Sequence, residues 1–132
     1  MNTPLALAAG AAAVLALGAM AASAADKPAK AATHNDCFWT RNVDGFAAPD
    51  EHTLYVRVGV REVYRFEMLG SCPDIDWNQR IALISRSGSS ICSGMDAEVV
   101  SHSPIGPQRC AVRSVRKLTP EEIAALPPRA KP

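Results

Sequence analysis

Apolar and polar residues alternate with a period of two over much of the chain after residue 52, a pattern typical of β-strands that bury one face. In the clearest run, every second position is apolar: Leu54, Val56, Val58 and Val60. The next run repeats the pattern with Tyr64, Phe66 and Met68. Further strands are predicted over residues 37–43, 80–86, 90–92, 97–102 and 109–118.

The two clearest runs predict a hairpin. Its inward residues must have position numbers with an even sum, because a slip of one residue turns an apolar face to solvent. Pairing Val60 with Tyr64 meets this condition and leaves the three-residue loop 61–63. The same register places Arg57 opposite Glu67, where the two charges are complementary.

Glycine, proline and serine mark the connections between strands. Turns are predicted at 44–45 and 87–89, and a loop at 103–107, where two prolines disfavour pairing. Residues 73–79 break the alternation and predict a short helical turn capped by Asp74, with Ile75 and Trp77 packed on the sheet.

The sequence Thr119-Pro120-Glu121-Glu122 predicts a helix start, with Thr119 as N-cap and proline at the first helical position. Pro127 ends this helix, and the proline-rich tail 127–132 is expected to be disordered. The fold class is therefore mainly β, a small antiparallel five- or six-stranded barrel or sandwich with a short C-terminal helix and two disulfides. The predicted domain spans residues 37–126.

Residues 1–24 contain no Lys, Arg, Asp or Glu and end in Ala22-Ser23-Ala24, the small-residue pattern typical of signal peptidase cleavage. We expect a signal peptide over 1–24 and a flexible arm over 25–36. An uncleaved membrane anchor is the alternative, since the apolar run is about long enough to span a bilayer. Cleavage predicts a periplasmic or secreted protein with no remaining membrane span.

Export to an oxidising space predicts that the four cysteines form two disulfides. Three pairings are possible. We favour Cys37–Cys110, which would join the opening and closing strands, together with Cys72–Cys92. The wide spacings and the absence of a C-x-x-C pair disfavour zinc, and no other metal ligand set is predicted.

The charge balance, 14 basic against 13 acidic residues, gives no reason to expect nucleic acid as a partner. Arginines nevertheless cluster on the hairpin and the last strand, and form a candidate anion-binding surface: Arg57, Arg61, Arg65, Arg113 and Arg116. An anionic component or a protein of the cell envelope would be its partner.

No catalytic residue and no cofactor is assigned. A small hydrolase or metal-dependent enzyme would have to use His102 with Asp96 or Asp74, and no G-x-S-x-G motif frames the neighbouring Ser101 or Ser103. A calcium loop at Asp74 and Asp76 would need further oxygen ligands and a turn glycine, which this segment lacks.

Several segments from Cys37 onward resemble a family of small exported bacterial proteins with four cysteines and a domain of unknown function. They are Cys37-Phe38, Leu69-Gly70-Ser71-Cys72-Pro73-Asp74-Ile75, Ile91-Cys92-Ser93-Gly94-Met95-Asp96, Cys110-Ala111-Val112 and Leu118-Thr119-Pro120-Glu121-Glu122. The resemblance implies compartment and architecture and carries over no catalytic residue. The leading hypothesis is a non-enzymatic binding or accessory module of the cell envelope. The alternatives are the enzyme above and an inhibitor of another exported protein that uses residues 103–108 as an exposed loop.

Overall fold

The computed structural model describes residues 36–132, and most of their regular structure is β. The predicted leader, nearly all of the predicted arm, and His34 lie outside the described residues. The strands are β1 (Phe38–Trp39), β2 (Val43–Ala47), β3 (Thr53–Val58), β4 (Glu62–Met68), β5 (Ala82–Ser85), β6 (Ser90–Ile91), β7 (Ala97–Ser103) and β8 (Gly106–Lys117), and the helix is α1 (Pro120–Ala125).

Six strands form one antiparallel sheet in the order β2-β3-β4-β8-β7-β5, curled into a half-barrel. The strands β1 and β6 pair separately as a two-stranded ladder. Alternate residues of the large sheet point into the concave side, where Leu54, Val56, Phe66 and Val99 are completely buried. This arrangement confirms the predicted mainly β, antiparallel fold with a short terminal helix and two disulfides.

The β3–β4 hairpin keeps the predicted parity, but the predicted register is wrong. Val58 pairs with Glu62 and Val56 with Tyr64, so the three-residue loop is 59–61 and not 61–63. Gly59 has φ +60°, a left-handed conformation that glycine adopts at little cost, and it starts the turn at that point. Val60, predicted to face inward, is therefore 92% exposed at the tip of the turn.

The predicted first strand over 37–43 is interrupted by a 3₁₀ turn at Thr40–Asn42. The turn predicted at Asp44-Gly45 is instead a β-bulge inside β2, where the pairing with β3 shifts between Val43 and Gly45. A bulge adds one residue to a strand, and the Asp-Gly sequence suits it as well as it suits a turn.

Two predicted connections also differ from the structure. The loop expected at 103–107 is a two-residue connection, because Ser103 pairs with Gly106 and Pro107 lies within β8. In the segment 73–79, Ile75 is buried as predicted, whereas Trp77 is 78% exposed.

Asp74 does not serve as the predicted cap of that segment. Its φ is +61°, whereas an N-cap residue has extended backbone. It contributes its carbonyl oxygen, which accepts hydrogen bonds from the backbone N–H groups of Trp77 (3.2 Å) and Asn78 (3.1 Å).

The predicted disulfide pairing is wrong. The bridges are Cys37–Cys92 and Cys72–Cys110. In the β1–β6 ladder, Phe38 lies opposite Ile91, so the next antiparallel position brings Cys37 opposite Cys92. The second bridge forms where the chain leaving β4 meets β8, since the Leu69 N–H donates to the Ala111 carbonyl at 2.9 Å.

The helix α1 begins as predicted, with a capping box in which Thr119 and Glu122 each bond the other's backbone N–H. After the helix, the tail expected to be disordered forms a 3₁₀ turn at Pro128–Ala130, and Ala130 is only 1% exposed. This segment reaches the convex side of the sheet, where the Arg57 Nη1 donates to the Pro132 backbone oxygen at 3.0 Å.

Candidate binding groove between the sheet edges

The half-barrel is open along one side, between the edge strands β2 and β5. Among the described residues, β2 pairs only with β3, and β5 pairs only with β7. One edge of each strand is therefore left with backbone N–H and C=O groups that no neighbouring strand satisfies. These two edges border the concave interior.

Apolar side chains at this opening are only partly covered. Five hydrophobic residues pack against the core while remaining partly exposed, and all of them come from β2, β5 or the chain next to these strands: Val43, Phe46, Ala48, Ile81 and Leu83. The bulge in β2 places both Val43 and Phe46 on the inner face, opposite Val58 and Val56 of β3. A contiguous, partly exposed apolar surface of this kind marks a binding site more often than does a scattered apolar residue.

The opening contains two adjoining cavities of about 450 Å³ and 320 Å³. Phe46 and Gln79 line both, so the two cavities adjoin at these residues, and we call them together the seam groove. Its larger part lies between Val43–Phe46 on one side and Arg80, Ile81 and Leu83 on the other. Each volume lies within the usual range for ligand pockets, about 300–1,000 Å³.

Charged residues of both signs line the seam groove. Asp44 and Arg80 border the larger part, and Asp76 and Arg129 border the smaller part. The Oδ1 atom of Asp76 is buried and has no hydrogen-bond partner in the part of the chain that the structure describes. A buried acceptor without a partner is unfavourable by about 1–3 kcal/mol.

The wall formed by residues 73–79 is fixed by polar contacts to β7. The Ser101 side chain is fully buried, and its Oγ donates to the Pro73 carbonyl at 3.0 Å. The Asn78 Nδ2 donates to the same Oγ at 2.6 Å and to the His102 carbonyl at 2.7 Å. Because Ile75 is also buried, this wall is anchored to β7 and to the core.

The five arginines of the predicted anion-binding surface lie in separate places. Arg57, Arg65 and Arg116 are on the convex face, where Arg65 lies directly opposite Arg116 on neighbouring strands. Arg61 is in the exposed turn before β4, and Arg113 is exposed at the irregularity of β8.

The convex arginines are occupied by contacts within the chain. Arg65 forms an ion pair with Glu67 at 3.2 Å, and Arg116 binds both carboxylate oxygens of Glu122 at 2.8 and 2.9 Å. The hydrogen bond from Arg116, followed by that from the Thr119 backbone, lowers the pKa of Glu122. The anion-binding role stays a prediction, with Arg61 and Arg113 the most accessible of its residues.

The alternative enzyme would use His102 with Asp96 or Asp74, and the structure places Asp96 before the start of β7 and His102 near its end. Ser101 faces the interior, whereas His102, the next residue of the strand, points to the opposite face and is exposed. The Ser103 Oγ donates to the Gly106 carbonyl at 2.9 Å, and the Asp96 carboxylate accepts from Ser93 at 3.0 Å. Among residues 36–132, no group of three His, Cys, Asp or Glu side chains is placed to hold a metal ion.

Sequence reasoning missed the seam groove because it arises from two strand edges that lie far apart in the chain. One local signal was available. Val43 and Phe46 are both apolar although three positions apart, and Asp-Gly lies between them, which is the pattern of a bulge that keeps two residues on one face.

Comparison with known proteins identifies one family. The model of a family of unknown function (DUF6491) matches residues 3–131. No curated protein and no solved structure matches the chain. Within the described part of the chain, no helix is long and apolar enough to cross a membrane.

Proposed function

We propose that this chain, which belongs to the family of unknown function DUF6491, is an extracytoplasmic, non-enzymatic binding or accessory module of the cell envelope. Its ligand occupies the seam groove. The disulfide-bonded domain begins at Cys37, and it is released from its leader after Ala24.

The compartment is supported by the cysteines. All four are joined in two bridges, and stable bridges of this kind form in oxidising spaces outside the cytoplasm. The apolar leader with its small-residue ending agrees with this location.

The seam groove is the observation that carries the binding function. It combines a partly exposed apolar floor, charges of both signs and an anchored wall in two adjoining cavities. Preformed concave sites with an apolar lining and a few polar groups are the usual form of ligand-binding sites. The ligand is expected to be an envelope protein or another envelope component.

Site-specific photocrosslinking in the native host tests this proposal. A photoreactive amino acid replaces Gln79, which is exposed and lines both parts of the groove, and in a control replaces Val60, which is 92% exposed in the β3–β4 turn. We expect a discrete adduct from position 79 and none from position 60. Equal labelling from both positions, or no adduct from position 79, would reject the groove as the binding site.

Mass spectrometry of protein recovered from the native host tests the compartment. We expect a chain that begins at Ala25 and carries two bridges. Four free thiols would refute export, and a retained initiator methionine would refute cleavage of the leader.

A second function is favoured by the tip of the β7–β8 hairpin. Ile105 is 89% exposed there, and the Ser103 Oγ bonds the Gly106 carbonyl across the two-residue connection, so the tip is narrow and held in shape. Such a tip suits an inhibitor that inserts into a cleft of another exported protein. Loss of a co-purifying partner on Ile105→Ser, together with no adduct from position 79, would favour this function over binding in the groove.

A further inference from the structure

We infer that the seam groove receives an extended polypeptide segment, which pairs as an additional antiparallel or parallel strand with the free edge of β2. This inference rests on the proposed function and specifies the chemical class of the ligand. The occupant is a segment of another protein in an extended conformation.

The backbone of β2 provides the first argument. Four consecutive residues, Val43–Phe46, line the larger part of the groove, so the free edge of this strand borders the cavity itself. Among the described residues, no strand pairs with that edge. An extended peptide offers N–H and C=O groups at the spacing of a regular strand, which β2 keeps over residues 45–47 beyond its bulge. Strand addition is a common mode of peptide recognition.

The floor of the groove provides the second argument. A strand lying against β2 presents every second side chain to the concave interior. There it meets Val43 and Phe46 from β2 and Leu83 from β5, which are left partly uncovered. Apolar residues at alternate positions of the ligand would complete the core of the half-barrel.

The charges around the groove provide the third argument. Two acids and two arginines, Asp44 with Arg80 and Asp76 with Arg129, give the lining a formal charge of zero. A polyanion or a polycation would meet like charges in either part of the groove, whereas a peptide backbone is neutral and carries both donors and acceptors.

Peptide selection against the full oxidised protein provides the test. A phage-displayed library of random seven-residue peptides is selected for binding, and the dissociation constants of the enriched peptides are measured by fluorescence anisotropy. We expect enriched peptides with apolar residues at alternate positions. N-methylation of the peptide backbone at alternate positions should weaken binding at least about tenfold, since it removes the hydrogen bonds to β2, while N-methylation at the positions between them should have little effect.

Two variants locate the binding. Gln79→Trp places a bulky side chain in the groove from an exposed position and should abolish binding, whereas Val60→Trp adds the same side chain in the β3–β4 turn and should leave the dissociation constant unchanged. Amide exchange at residues 44–47 should slow when peptide is bound. Both variants change exposed positions, so matching circular dichroism spectra will show that the fold is kept.

Three results would overturn the inference: no saturable binding by any selected peptide, N-methylation effects without a period of two, or binding unaffected by Gln79→Trp. Failure of this inference can be distinguished from failure of the proposed function. A groove adduct at position 79 that proves to be a glycan or a lipid, together with no peptide binding, would keep the binding function and reject the polypeptide ligand.

Discussion

At the scale of single residues, Gly94 is a glycine whose missing side chain the packing requires. A Cβ atom at this position would overlap the carbonyl group of Arg113 and lie 2.5 Å from the Ser114 nitrogen. The backbone of β8 is irregular at this place, because Glu67 pairs with Ser114 and Met68 with Val112. Gly94 therefore lets the segment before β7 lie directly on that irregularity.

Gly94→Ala is expected to lower the free energy of unfolding by about 1–3 kcal/mol, since the neighbouring groups are backbone and cannot move aside cheaply. Gly70→Ala is the matched control, because nothing lies within 4 Å of the added atom there, and it should change stability by less than about 0.5 kcal/mol. Urea unfolding of both variants measures the difference. Equal stability of the two variants would refute the close contact at Gly94.

Tyr64 is a second residue with a specific prediction. Burial raises its pKa from 10.0 to about 12, and the charge of Glu62 adds to the effect. Because the folded-state pKa lies above the unfolded one, Tyr64 ionises in the unfolded chain before it ionises in the folded one. The contribution of Tyr64 to the free energy of unfolding is therefore complete below pH 10 and is lost as the pH rises towards 12. Over this pH range the free energy of unfolding falls by at most about 3 kcal/mol on account of Tyr64.

Tyr64→Phe should therefore show a flatter loss of stability between pH 10 and 12 than the unaltered protein. Glu62→Gln should move the ionisation of Tyr64, followed by phenolate absorbance, to lower pH, since it removes a neighbouring negative charge. Parallel loss of stability in the unaltered protein and in Tyr64→Phe would contradict this explanation.

At the scale of elements, the start of α1 was predictable in full. The capping box uses neighbouring residues only, so the sequence contains everything that determines it. Thr119→Ala should reduce stability by about 1 kcal/mol, whereas Thr119→Ser keeps the side-chain oxygen and should lose much less. Thermal unfolding checks the pair, and equal losses would show that the cap contributes nothing.

The β3–β4 hairpin shows where prediction from the sequence stops. Alternation determined which residues face inward, and parity held in the observed register. Several registers share that parity, however, and the conformation of Gly59 selects among them. Alternation alone therefore predicts the two faces of each strand better than the pairing of strands.

The two-residue ladder β1–β6 is too short to be predicted from a sequence pattern. Two residues are too few for a period of two, yet this ladder brings Cys37 opposite Cys92 and so determines the disulfide pairing. The seam groove was missed for a related reason, since Val43 and Leu83 approach each other only after the whole sheet has curled. Contacts that depend on long-range geometry have no local signature.

At the scale of the whole molecule, the two bridges are expected to dominate stability. They close loops of 55 and 38 residues, and the chain-entropy relation gives about 4 kcal/mol for each. Replacing Cys37 and Cys92 together by alanine, or Cys72 and Cys110 together, should remove most of that amount in each case. Guanidinium unfolding measures the loss. A change below about 1 kcal/mol would show that the bridges do not stabilise the fold by reducing the conformational entropy of the unfolded chain.

The two bridges interleave along the chain, because Cys72 lies between Cys37 and Cys92, and Cys92 lies between Cys72 and Cys110. During synthesis from the amino terminus, Cys37 and Cys72 are the first two thiols to become available, and neither is the partner of the other. An oxidant that acted on the chain as it emerged would join the wrong pair first. The yield of the native pairing is therefore expected to follow the supply of a disulfide isomerase more closely than the supply of the oxidant.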